Sequence, residues 1–272
     1  NLFKRLGHLG VKEELSNKKA ALLGLGSVGA TVAAQLTKAG IGQLTLIDPD
    51  TLEIHNIIRH LCDLNDLGRY KTDAVKDKIL SINPDLNVSA FASDFIASYE
   101  QIITKLKNID LLVVSTDTPD SRNLANMASV TLGIPAVYIS LHERARTGSV
   151  YRIVPGKTGC RSCIGEGQWG NEFIPGTTDY SEASNERDIL FQPGLDTDIS
   201  LVSMLGVKMA ISSLMHPEED ISPELKSNFL FWNGYPDENG SMVKLVDGAG
   251  IPLNEECEIC VGAKKIGEIE NE

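Results

Sequence analysis

Three groups of residues in this chain have types and spacings that could do chemistry. The first is Gly24-Leu25-Gly26-Ser27-Val28-Gly29, which follows the apolar run Ala20 to Leu23 and leads into a helical pattern from Ala30 to Ala39. Glycines at this spacing permit a tight turn, close approach of backbone to a phosphate, and close contact of helix with strand. Amides at the start of the helix then face the anion. A second apolar run, Leu44 to Ile47, ends in Asp48-Pro49-Asp50. Asp48 lies about twenty residues past the glycines, where an acid usually hydrogen-bonds a ribose hydroxyl. The pattern reads as an adenine-nucleotide site and leaves NAD and ATP both open; acids such as Asp48 and Asp50 also cap turns.

The second group is a pair of Cys-x-x-Cys motifs, Cys160 with Cys163 and Cys257 with Cys260. Four thiolates at this spacing suit a structural, tetrahedral zinc ion with no open position for catalysis; a redox pair is the competing reading. Such a metal would pin the C-terminal segment to the chain just past the sheet. The third group is Arg59, Lys71 and Asp117. Each cation taken alone reads as a solvated surface charge. Asp117 stands just past the buried-type strand Leu111 to Val114, at the edge where doubly wound sheets bind ligands. A carboxylate there is placed to hold Mg2+ against a triphosphate. Cys62, outside both pairs, reads as a buried, inert thiol. The five histidines show no ligand spacing.

These residues need elements to position them. Residues 1–19 read as a helical lead-in, followed by a strand over about 20–25, a helix over 28–39 closed by Gly40 and Gly42, and a strand over 43–48. A long connection, 49–68, carries Asn56, Arg59 and Cys62. The spacing of Ala74, Val75, Ile79 and Ile82 predicts a helix over 70–82, stopped by Asn83-Pro84. Further on, strands are expected at 88–92, 111–114 and 135–140, with helices at 99–106 and 119–132, the latter opened by Pro119. This alternation predicts an α/β, Rossmann-like, doubly wound and mainly parallel sheet. After Leu141 the pattern changes to an antiparallel-type strand at 148–154, a long connection at about 164–196 and an apolar helix at 197–215. A hairpin is expected from Phe229–Trp232 and Ser241–Leu245, with Asn239-Gly240 in its turn. The expected division is a lead-in at 1–19, one domain at 20–262 and an acidic tail at 263–272.

A chain of 272 residues can bury one substantial core. Its net charge of −12 argues against a nucleic-acid binder, which needs a basic stripe. It has no run of eighteen apolar residues and opens without a signal-peptide pattern, so a cytoplasmic location and no membrane partner are expected.

Taken in order, the glycine turn, Asp48-x-Asp50, Asn56-x-x-Arg59, Asp66-x-Gly68-x-x-Lys71, Ile82-Asn83-Pro84, Ser115-Thr116-Asp117 and both cysteine pairs resemble the ubiquitin-activating-enzyme superfamily in its ThiF/MoeB form. That resemblance covers nearly all of residues 1–262. It implies adenylation: the C-terminal glycine carboxylate of a ubiquitin-like or sulfur-carrier protein attacks the α-phosphate of MgATP and releases pyrophosphate. By resemblance, Asp48 holds the ribose and Gly24, Gly26 and Gly29 hold the nucleotide. Asp50 belongs to the same nucleotide site, while Asn56, Arg59 and Lys71 bind phosphates and Asp117 ligates magnesium. Arg5 matches an arginine that reaches into the other protomer's site, which implies a homodimer. The usual Arg-Gln pair reads Arg59-His60 here, and no cysteine stands between Cys163 and Cys257 to form a thioester. An NAD-dependent oxidoreductase would explain the glycines and Asp48 but leave Arg59, Lys71, Asp117 and the cysteines idle. The intact set of phosphate and magnesium candidates speaks against a non-catalytic, partner-binding member. The acidic charge disfavours a family dehydratase acting on a tRNA base.

Overall fold

A computed structural model of the chain describes residues 2–6, 9–166, 194–236, 239–240, 244–248 and 251–261. Its strands β1 (Lys19–Leu23), β2 (Gln43–Ile47), β3 (Asn87–Phe91), β4 (Leu111–Val114), β5 (Ala136–Leu141), β6 (Thr147–Ile153), β7 (Phe229–Asn233) and β8 (Lys244–Gly248) form a single sheet. The spatial order is β3-β2-β1-β4-β5-β6-β7-β8. Strands β1 to β5 pair in parallel, and β5 to β8 continue the sheet antiparallel. The expected Rossmann-like architecture with an antiparallel extension is therefore present.

The parallel strands are short, nearly unbroken apolar runs because both of their faces are covered. Alternate residues go to opposite sides: Ala20 and Leu22 to one core, Ala21 and Leu23 to the other. Helices α2 (Ser27–Ala39), α3 (Lys71–Ile82) and α7 (Asp196–Met215) supply residues to the first core. Helices α4 (Tyr99–Leu106) and α5 (Pro119–Leu132) supply the second. The short helix α1 (Val11–Leu15) buries Leu15 in the first core, and the short helix α6 (Arg161–Glu166) packs against α5. Helix α7 is long and apolar enough to cross a bilayer by length and composition. Here Ile199, Val202, Met209, Ala210 and Leu214 are buried in the first core. Each such side chain removed from water contributes about 1.5–3 kcal/mol if it is large.

Local chemistry sets several boundaries. Gly40 closes α2 with φ 93°, and Gly133 closes α5 with φ 66°, both left-handed positions that glycine adopts without strain. Thr118 caps α5 through Ser121 N–H, with Pro119 at the first helical position. The hairpin departs from expectation. Asn233 pairs with Lys244, so β8 lies at Lys244–Gly248 rather than at 241–245, and residues 234–243 join the strands. Asn239-Gly240 thus sits in a longer connection rather than a two-residue turn. Both faces of β7 are buried, with Phe229 and Phe231 in one core and Leu230 and Trp232 in the other. Helix α6 occupies the start of the expected 164–196 connection; residues 167–193, like the acidic tail 263–272, lie outside the described residues.

Candidate nucleotide site and cysteine cluster

Strand order reverses between β1 and β4, and ligands of doubly wound sheets bind outside the strand ends at such a point. The glycine turn leaves β1 there. Gly24 has φ +87°, and a Cβ on it would stand 3.0 Å from the backbone of Ser115, at the end of β4. A Cβ on Gly29 would stand 2.0 Å from Gly24 O and 2.7 Å from Ser115 Oγ, so only glycine lets α2 sit this close to β1. A Cβ on Gly26, in contrast, meets nothing within 4 Å. Gly26 is the N-cap of α2 and no side chain caps the helix start. The middle glycine therefore borders open space beside uncapped amides, the arrangement a phosphate needs.

Asp48 follows β2 on one side of this turn. Its Oδ2 accepts the Leu25 amide at 2.6 Å and its Oδ1 accepts the Asp50 amide at 2.9 Å. Burial raises its carboxyl above the usual range, opposed by nearby Lys71 and by these two amides. The Lys71 ammonium donates to Asp50 Oδ2 at 2.6 Å. A short antiparallel contact brings them together: Thr51 bridges Tyr70, Leu52 N–H donates to Arg69 C=O at 2.8 Å, and Lys71 N–H donates to Asp50 C=O at 2.9 Å. Asp50, Thr51, Glu53, His55, Asn56 and Lys71 line a cavity of about 400 Å³. Asn56 Oδ1 accepts the Glu53 amide at 3.0 Å, closing the start of a 3-10 helix, Ile54–Arg59. Ion pairs of Arg69 with Asp66 and Asp77, and of Lys78 with Asp63 and Asp66, hold this connection to α3.

Not all candidates converge. Arg59 lines a second cavity, of about 220 Å³, with Thr31, Gln35 and Lys38 of α2 and with Asp196 and Ser200 of α7. Lys71 belongs to the first cavity and Arg59 to the second. Asp117 lies past β4, on the opposite side of the glycine turn from Lys71, and is exposed. Arg5 is exposed on a 3-10 turn, Lys4–Leu6, whose neighbour Phe3 lies against Gly40 at the far end of α2. A thirteen-residue helix spans about 20 Å, so Arg5 stands remote from its own chain's glycine turn. Cys62 is 2% exposed, and burial pushes its thiol up to about 12, which leaves it protonated and inert at neutral pH.

Sequence reasoning assigned no role to two residues at this edge. His60 reaches back to the glycine turn, with Nε2 2.7 Å from Leu25 O. Arg122, largely buried, donates through Nε to Thr116 C=O at 2.7 Å and so fixes the turn that carries Asp117. Its guanidinium is held below its usual range by that burial. Position five past Asp117 was its only signal; for His60 the signal was the unusual Arg59-His60 pair.

The four cysteines converge. Their sulfurs all lie within 4.8 Å of one another, with Cys160–Cys163 at 3.9 Å, Cys160–Cys257 at 3.7 Å and Cys163–Cys260 at 3.8 Å. Thiolates bonded at about 2.3 Å to one tetrahedral ion stand about 3.8 Å apart. The spacing suits one shared ion, and the cluster is packed beneath Val130 of α5.

Fold and site together define a class: Rossmann-like α/β domains with a glycine turn at the switch point and a four-cysteine cluster at metal-binding distance. Within that class the chain belongs to the ThiF family, whose pattern matches residues 2–244. It is 27% identical over 238 residues to ubiquitin-like modifier-activating enzyme 5 of Oryza sativa subsp. japonica, covering 84% of this chain and 55% of that protein. The chain thus spans about half the length of that curated relative. The fold matches Escherichia coli MccB solved with ATP, at TM-score 0.69 and 22% identity, covering 96% of this chain and 73% of that one. It also matches the microcin C7 biosynthetic enzyme MccB in complex with N-formylated MccA, at TM-score 0.70 and 23% identity over 96% of this chain and 75% of that one.

Proposed function

We propose that this chain is an ATP-dependent adenylyltransferase acting on the C-terminal glycine carboxylate of a ubiquitin-like or sulfur-carrier protein. The observation that carries the reading is Gly26 facing open space at the uncapped start of α2, with Lys71 to one side and Asp117 to the other. A nicotinamide site would use the glycines and Asp48 but has no use for an ammonium at the tip of β2. Names of the relatives, an activating enzyme and a protein solved with ATP, support the same choice.

In the proposed reaction a carboxylate oxygen of the carrier attacks the α-phosphorus, the bond to the β-phosphate oxygen breaks, and pyrophosphate leaves. One anion approaches another, so neutralising and orienting charge is the main lever. In this reading Asp48 takes the ribose, the turn from Gly24 to Gly29 takes the phosphates, and Lys71 neutralises their charge, with Asn56 in the same cavity as Lys71. Arg59 would bind phosphate from the neighbouring cavity. Asp117 offers oxygen ligands suited to Mg2+, which supplies further neutralising charge when bound. Arg5, remote from its own turn, would serve a second protomer in a homodimer. The cysteine cluster would hold a structural zinc ion. A cytoplasmic location fits such a role.

Pyrophosphate exchange into ATP, dependent on a carrier ending in glycine, tests the reading; exchange that ignores the carrier, or none at all, would sink it. Asp117→Asn is expected to lower exchange by about 10²-fold or more. Because Asp117 is exposed, the melting temperature should stay at the parent's value, and an active variant would remove Asp117 from the chemistry. Metal analysis is expected to find about one zinc per chain. Cys160→Ser should lose it and lower thermal stability, and a zinc-free, fully stable parent would refute the assignment.

A further inference from the structure

Two residues from different elements fix the Leu25 peptide units. The Leu25 N–H donates to Asp48 at 2.6 Å, and the Leu25 C=O lies 2.7 Å from His60 Nε2. Cys62 decides which ring nitrogen carries the proton: its amide donates to His60 Nδ1 at 3.1 Å. Nδ1 must then hold a lone pair, so Nε2 bears the hydrogen and donates it to the Leu25 carbonyl. In a trans peptide the C=O and N–H of one unit point in opposite directions, and no cis peptide occurs among the described residues. Holding the Leu25 carbonyl toward His60 therefore aims the next amide, Gly26 N–H, away from His60. Gly26 is the residue whose Cβ direction is open and whose helix start is uncapped.

We propose that His60 is a positioning residue for anion binding, locking the Leu25–Gly26 peptide so that the Gly26 amide joins the first amides of α2 in facing a phosphate. The proposal rests on the nucleotide reading of this site. Protonation puts a hydrogen on Nδ1 opposite the Cys62 N–H, so the ring loses that partner, while Nε2–H goes on donating to the Leu25 carbonyl. Burial holds the ring below its usual range; the Leu25 carbonyl opposes this, Lys71 adds to it and Asp66 opposes it. Lys38, Arg59 and Asp196 are the other charged groups around the cavity that His60 lines. The sign follows directly. A ring harder to protonate folded than unfolded contributes stability above its unfolded value, and that contribution is lost as pH falls through the folded value.

The test compares the parent with His60→Gln and His60→Leu. Glutamine can donate from Nε2 to the Leu25 carbonyl and does not titrate; leucine does neither. MgATP affinity is measured by calorimetry at pH 8. His60→Leu is expected to bind about five- to tenfold more weakly, the fold-change of one hydrogen bond, and His60→Gln near the parent. In the nucleotide-free chain, nitrogen NMR should show the Nε2–H form of His60. The Gly26 amide should shift with that ring's titration in the parent and stay fixed in His60→Gln. Leucine binding as tightly as the parent, or a Gly26 amide indifferent to His60, would each overturn the proposal. Failure of the parent to bind MgATP at pH 8 would count against the nucleotide reading instead, and the Gly26 titration would still decide the positioning role.

Discussion

Lys71→Ala is expected to lower carrier-dependent pyrophosphate exchange by about 10²- to 10³-fold, the cost of removing one preorganised charge-stabilising group. The ammonium is 2.6 Å from Asp50 and its side chain is 11% exposed, against 62% for Asp50, so it lies in the cavity wall rather than in open solvent. Deleting it removes the attraction for phosphate and uncovers Asp48 and Asp50, whose charges then repel the incoming triphosphate. Asp48 would suffer most, because Lys71 opposes the rise that burial imposes on its carboxyl. Stability should change little. The ion pair has a largely exposed partner, which puts its worth at about 0–1 kcal/mol, and the backbone bond from Lys71 N–H to Asp50 C=O is untouched. Lys71→Met, which keeps the apolar stem, should be as inactive as the alanine variant, separating charge from packing. Exchange within twofold of the parent in either variant would take Lys71 out of the mechanism.

Gly29→Ala should be strongly damaging to the fold. The added carbon would stand 2.0 Å from Gly24 O and 2.7 Å from Ser115 Oγ. The first of these is backbone and cannot rotate away, so α2 must lift from β1 or the turn must open. Either move disturbs Ala30, Ala33 and Leu22, all buried in one core. Overpacking costs about 1–3 kcal/mol and sometimes more; with backbone as the obstacle, a loss of at least about 3 kcal/mol is expected in urea unfolding. Gly26→Ala is the control. It has φ −66° and space around its Cβ, so it should fold with near-parental stability yet bind MgATP poorly. Equal stability of both variants would mean that the close approach of helix and strand is not what the third glycine serves.

Most of the framework could be read along the chain, because it depends on periods and residue types that act over a few neighbours. Apolar runs of four to six residues became β1, β2, β4 and β5, and helices Tyr99–Leu106 and Pro119–Leu132 fall where their spacing and caps put them. The glycine turn and the cysteine pairs were legible for the same reason: each glycine position has its own steric demand, and four thiols in two such pairs suit one shared metal ion.

What the chain alone left open was decided by contacts between distant segments. Arg59 and Lys71 are twelve positions apart, yet they face different cavities because α7, far along the chain, brings Asp196 and Ser200 against Arg59. The second hairpin strand lies further toward the C-terminus than the local turn signal puts it, because it is the pairing of Asn233 with Lys244 across the sheet that sets its position. His60 became part of the glycine turn only when folding brought Leu25 within a hydrogen bond of it. Local sequence specifies which conformations are cheap, and tertiary packing alone decides which polar groups meet.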